Sequence, residues 1–149
     1  MFVQLRSWSK MLDTYYVKLP SLPNGATDFI VSVAPWLALI FGVLAILGGI
    51  AAFGLLSVLS PFAAVAGAGQ YAFSGVLASL VLLVQGVIEL MSFSPLKARK
   101  ERGWDLMFLS LVLGVVSSLF YLNVFTVVSS IFWSLVGYYF LYQVKSHYK

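Results

Sequence analysis

Residues 29–60 read FIVSVAPWLALIFGVLAILGGIAAFGLLSVLS, thirty-two consecutive positions without an ionisable Asp, Glu, Lys, Arg or His. About twenty apolar residues are enough to carry an α-helix across ~30 Å of hydrocarbon, because each residue advances the helix by about 1.5 Å. The run is therefore a membrane span, and the rest of the chain is read outward from it. Pro35 suits a first helical turn, which places the span at about 35–58, with 29–34 extending the helix or forming a short interfacial turn.

Downstream, Pro61 and the small residues through Gly69 predict an uncharged connector over 59–70, followed by a second span over about 71–93. The loop 94–103, SPLKARKERG, is hydrophilic, and apolar character resumes over about 104–121 as a third span. Asn123 marks a tight turn, and the fourth span covers about 124–143, so the last two spans form an antiparallel hairpin.

Upstream, Leu5, Trp8, Leu12, Tyr15, Tyr16 and Leu19 recur at helical spacing, with Arg6, Lys10, Asp13 and Thr14 opposite. Residues 1–28 are accordingly read as an amphipathic interfacial helix and a linker broken by Pro20, Pro23, Asn24 and Gly25. The expected fold is all-α: a four-span transmembrane domain over 29–149 preceded by that helix.

Charge tests this arrangement. Four crossings put the N-terminal tail, the 94–103 loop and the C-terminal tail on one side, and all nine Lys and Arg residues fall there. The positive-inside rule then assigns both termini to the cytoplasm of an inner (cell) membrane. Dividing residues 29–69 into two spans would separate Arg6, Lys10 and Lys18 from the other basic clusters, which the same rule disfavours. Arg6, Lys10, Lys97, Arg99, Lys100 and Arg102 are candidate contacts for anionic lipid headgroups, each basic residue near such a surface contributing about 1 kcal/mol. The net charge of +4 flanks apolar segments and does not line a soluble surface, so a nucleic-acid partner is not expected.

Inside lipid, helices gain little by burying apolar surface against one another, so close backbone approach must hold the bundle. Ala38, Gly42, Ala45, Gly49 and Ala52 form such a small-residue stripe on the first span. Gly114 and Gly137 sit in comparable seams of the third and fourth, and the seams can meet within one chain or between copies.

Glu89 is the one charged residue expected in the interior of a span, Asp105 standing at the start of the third, with Gln85 a helical turn before Glu89 on the same face. An ionised carboxylate at depth costs several kcal/mol, so such residues are protonated, paired or facing water, and often mark ion or proton pathways. The competing reading is structural, with Glu89 reaching water or pairing with Lys97, Arg99 or Arg102. With no cysteine and one histidine, His147, in the tail, disulfides, thiolate chemistry and cysteine or multi-histidine metal sites are excluded. No Ser/His pair, paired intramembrane carboxylates or phosphate loop is present, so neither catalysis nor a cofactor is expected.

The amphipathic tail, Ala34-Pro35-Trp36-Leu37-Ala38 opening a glycine-rich span, and Leu96-Lys97-Ala98-Arg99-Lys100 followed by Gly103-Trp104 resemble small, uncharacterised bacterial four-span membrane proteins. The resemblance covers most of the chain and implies the topology, without an activity. Two functions are consistent with these readings: a scaffold or accessory subunit bound to lipid and a membrane partner, and a small homo-oligomeric transporter or channel using Glu89.

Overall fold

The computed structural model describes residues 2–18, 20–121 and 123–148, with the side chains of all of these except residues 2–6, 9 and 24. The Arg6 side chain, a candidate headgroup contact, lies outside the described residues. The described chain is helical: α1 Phe2–Tyr16, α2 Asn24–Val65, α3 Gly69–Lys97, α4 Glu101–Leu119, α5 Val124–Val144, and a closing 3-10 turn Lys145–His147. Helices α2 to α5 are each long and apolar enough to cross a membrane, as the four apolar runs require.

The first of them is much longer than a span needs. Its 42 residues reach about 63 Å, twice the hydrocarbon thickness, because Pro35 and Pro61 lie inside the helix and do not end it. Only Ala66, Gly67 and Ala68 separate α2 from α3, so most of the expected 59–70 connector is helix. Gly67 makes the reversal with φ 75°, a left-handed conformation that glycine adopts without steric cost, and the Ala68 N–H donates to the Ala63 carbonyl at 2.7 Å. The hydrophilic loop is similarly short. Pro95 belongs to α3, and the turn is Ala98, Arg99 and Lys100, with Arg99 at φ 52° and the Lys100 N–H donating to the Pro95 carbonyl at 2.8 Å. At the other hairpin Asn123 caps α5, its Oδ1 accepting from the N–H groups of Phe125 at 2.9 Å and Thr126 at 3.4 Å.

Helices α2 and α3 pack through the small-residue stripe. Ala38, Gly42 and Gly49 are buried, Ala45 and Ala52 half-buried. A Cβ on Gly42 would lie 3.0 Å from the Gly86 carbonyl, one on Gly49 2.7 Å from Leu83, and one on Gly86 2.9 Å from the Gly42 carbonyl. The seam therefore closes within one chain, and Gly86 is its reciprocal half on α3.

Helix α1 does not lie free. Tyr16 is buried among Tyr138, Tyr139 and Tyr142, and its hydroxyl donates to the Leu135 carbonyl at 2.9 Å. Asp13, expected on the solvent side, faces the bundle instead, accepting from the Tyr138 hydroxyl at 2.7 Å and pairing with Lys145 at 2.6 Å. Trp8, Met11 and Tyr15 remain exposed. The docked edge is thus rotated away from the expected apolar stripe, because a partly buried carboxylate with two donors binds more firmly than an apolar ring against lipid. Trp104 and Tyr138, which sequence position would put in an interfacial aromatic belt, are core residues, and the Trp104 indole N–H donates to the Leu141 carbonyl at 2.8 Å.

Candidate functional site

The start of α2, the end of α5 and the α3–α4 turn share one end. His147 lies 3.5 Å from Asp28, Leu22 donates to the Gln143 side chain at 3.3 Å, and the charge of Arg99 is felt at Tyr148. Below this end lies a cavity of about 550 Å3 walled by α2, α3, α4 and α5. Most of its lining is aliphatic or aromatic, and its polar members are few: Glu89, Gln85, Ser110 and Tyr148.

Glu89 is placed there by helix periodicity. Gln85 precedes it by one turn and Ser92 follows by nearly one, so all three lie on the α3 face turned inward. Glu89 is only 8% exposed, and its Oε1 accepts two hydrogen bonds, from Ser110 Oγ at 2.7 Å and from Gln85 Nε2 at 3.2 Å. Ser92, fully buried, donates back to the Glu89 carbonyl at 2.6 Å. The partner from α4 is therefore a serine, not Lys97, Arg99 or Arg102. No hydrogen bond from a described residue reaches Glu89 Oε2.

Sequence reading brought Glu89 and Gln85 together as found, and missed the other two groups. Ser110 stood in the α4 seam with nothing to distinguish it from Ser117. Tyr148 stood in a tail, yet it is 4% exposed, lines the cavity, and carries a hydroxyl without a hydrogen-bond partner among the described residues. Burial pushes that hydroxyl above the ordinary phenol range, while the Arg99 charge works against the shift.

The remaining candidates are distributed. Gly114 lies beside the cavity's polar wall: its carbonyl accepts from Ser130 at 3.2 Å, and a Cβ there would rest 3.8 Å from the Gln85 amide. A Cβ at Gly137 would meet Leu111 at 3.0 Å, so both glycines bring α4 close to its neighbours. Lys10, Lys97, Arg99, Lys100 and Arg102 are exposed, with the Lys97 ammonium 5.9 Å from the rings of Trp36 and Phe93. Among the described residues no group of three His, Asp or Glu side chains is arranged to hold a metal ion. Comparison with family models, with curated proteins and with solved structures finds no match to this chain.

Proposed function

We propose that this chain is a non-enzymatic accessory subunit or scaffold of the inner membrane, with both termini cytoplasmic and its basic end against anionic lipid. The observation that carries the reading is a mismatch of helix lengths. The Glu89–Ser110 bond sets the register of α3 against α4, so Leu119 at the end of α4 stands level with about residue 80 of α3. Helix α3 begins at Gly69, and the α2–α3 hairpin overhangs the α4–α5 hairpin by about 16 Å.

Helices α4 and α5, at about 28 and 31 Å, match the hydrocarbon thickness unaided. The overhang is uncharged and exposes Phe62, Val65, Tyr71 and Phe73, with Val65 at 92%. Tilting absorbs part of such a mismatch at a modest cost per Å, but an apolar hairpin end beyond the hydrocarbon calls for another covering. A second membrane protein meets that need. Cytoplasmic termini are the expectation of the positive-inside rule applied to the end that carries the basic turn and the C-terminal tail.

A photoreactive amino acid placed at Phe62 or Phe73 in native membranes should form protein adducts, and one at Phe132 on lipid-exposed α5 should not. With the photoreactive residue at Val65 on the same hairpin end, Phe62→Lys with Phe73→Lys should abolish the adducts and leave unfolding of the bundle unchanged. Equal adduct yields at all three positions, or none at any, would defeat the reading. A second reading, a small transporter, is favoured by the carboxylate on the cavity wall; it requires a solute-dependent flux into liposomes that Glu89→Gln abolishes.

A further inference from the structure

We infer that the cavity between α2, α3, α4 and α5 binds a lipophilic organic cation, an amine on a compact apolar body, with its charge at Glu89. The inference concerns binding alone and rests on neither reading of the function above.

Size and wall chemistry come first. A volume of about 550 Å3 falls within the ~300–1,000 Å3 range of small-molecule sites, and an apolar wall with a few convergent polar groups is the usual composition of such sites. The sign of the charge follows from Glu89. It is the one ionisable carboxylate on the wall, no Lys or Arg among the described residues lines the cavity, and Ser110 and Gln85 occupy Oε1 while leaving Oε2 to a donor from a ligand. A cation at Oε2 completes the carboxylate's bonding beside a mostly apolar wall, where charge pairing is stronger than in bulk water.

Tyr148 is the independent indication. Its buried hydroxyl has no partner among the described residues, a state that costs about 1–3 kcal/mol, and a ligand oxygen or nitrogen accepting from it removes that cost. The Arg99 charge felt at Tyr148 repels a cation from that end, which directs the amine to Glu89 and an acceptor atom to Tyr148. Asp28 and His147 lie beyond the lining at the same end and contribute no group to the wall. Access is lateral: the lining residues Leu37, Phe41 and Phe140 are exposed on the membrane-facing surface of α2 and α5, and an apolar cation concentrates in the bilayer beside them.

The test is equilibrium dialysis of nortriptyline, a tricyclic secondary amine, against the full chain in nanodiscs, with empty nanodiscs as the blank. Its N-acetyl derivative, equally apolar and uncharged, is the comparison. The wild type should bind the amine above the blank and the N-acetyl derivative at least tenfold more weakly. Glu89→Gln, which keeps an oxygen for Ser110, should lower affinity for the amine at least tenfold, Tyr148→Phe should leave affinity for nortriptyline, which carries no acceptor atom, unchanged, and Ala34→Phe, which fills the cavity, should abolish binding. Helical circular dichroism and monodisperse elution qualify each variant. Absence of binding by the wild type, or equal affinity for the amine and its N-acetyl derivative, overturns the inference even if Glu89→Gln does not fold.

Discussion

Between α2 and α3 the nearest approaches are backbone to backbone, with Gly42 and Gly86 each admitting the other's carbonyl. Between α4, α5 and α1 they are side chains with directional bonds: the Tyr138–Asp13–Lys145 chain, the Trp104 indole on the Leu141 carbonyl, and rings of Tyr16, Phe108 and Tyr138 stacked edge to face. Dispersion between close backbones needs no partner residue type, only the absence of a Cβ, whereas the second arrangement depends on named donors and acceptors. One hairpin is sensitive to volume, the other to chemistry.

The largest effect should come from Gly86→Leu, because even a Cβ there meets the backbone of Gly42 and Ile46 at 2.9 and 3.0 Å. Overpacking against backbone that cannot rotate away should cost at least about 3 kcal/mol in reversible unfolding from mixed micelles. Gly48→Leu, with nothing within 4 Å, should change stability by less than about 0.5 kcal/mol. Equal losses for the two glycines would break the volume argument.

Next in size is Asp13→Ala, which strips a charged partner from both the Tyr138 hydroxyl and Lys145. The pair is partly exposed, so the loss should be about 1–2 kcal/mol, less than a buried ion pair would give. It should appear as faster amide exchange confined to α1, with α2 and α3 unaffected; exchange rising evenly across the chain would refute separate chemistry for the two halves. Asn123→Ala, removing the cap of α5, should cost about 1 kcal/mol and fray the first turn of that helix.

The smallest effect sharpens the comparison through pH. Burial holds the Tyr16 hydroxyl above the ordinary phenol value of 10.0. A phenol raised on folding disfavours the folded state once the unfolded phenol ionises, so docking of α1 is fully stable below pH 10 and weakens as pH rises from there. Tyr16→Phe should cost about 0.5–1.5 kcal/mol at neutral pH through its lost bond to Leu135, and should flatten the alkaline decline in α1 protection.

What the sequence disclosed divides along the same line. Four apolar runs and three basic clusters are local signals, and the Ala38, Gly42 and Gly49 stripe is periodic, so spans and the α2 seam were legible. Gly86 was not, since one glycine in an apolar run has no period. Pro35 and Pro61 read as punctuation, yet an apolar helix has no water to compete for the backbone groups that proline frees, and α2 runs through both. Asp13 and Tyr138 stand 125 residues apart, and Tyr148 becomes a wall residue only when the chain end folds back toward α2. Contacts of that separation leave no trace in spacing.

The arrangement around Glu89 also bears on how the chain is made. Helix α3 emerges from the ribosome before α4, so Glu89 enters the membrane ahead of Ser110, its bond partner 21 residues later. At ~5–20 residues per second that interval is roughly one to four seconds. Gln85 travels on the same helix one turn away and supplies a hydrogen bond throughout, so the translocon handles a carboxamide–carboxylate pair, and the arrival of α4 then locks α3 in depth and rotation.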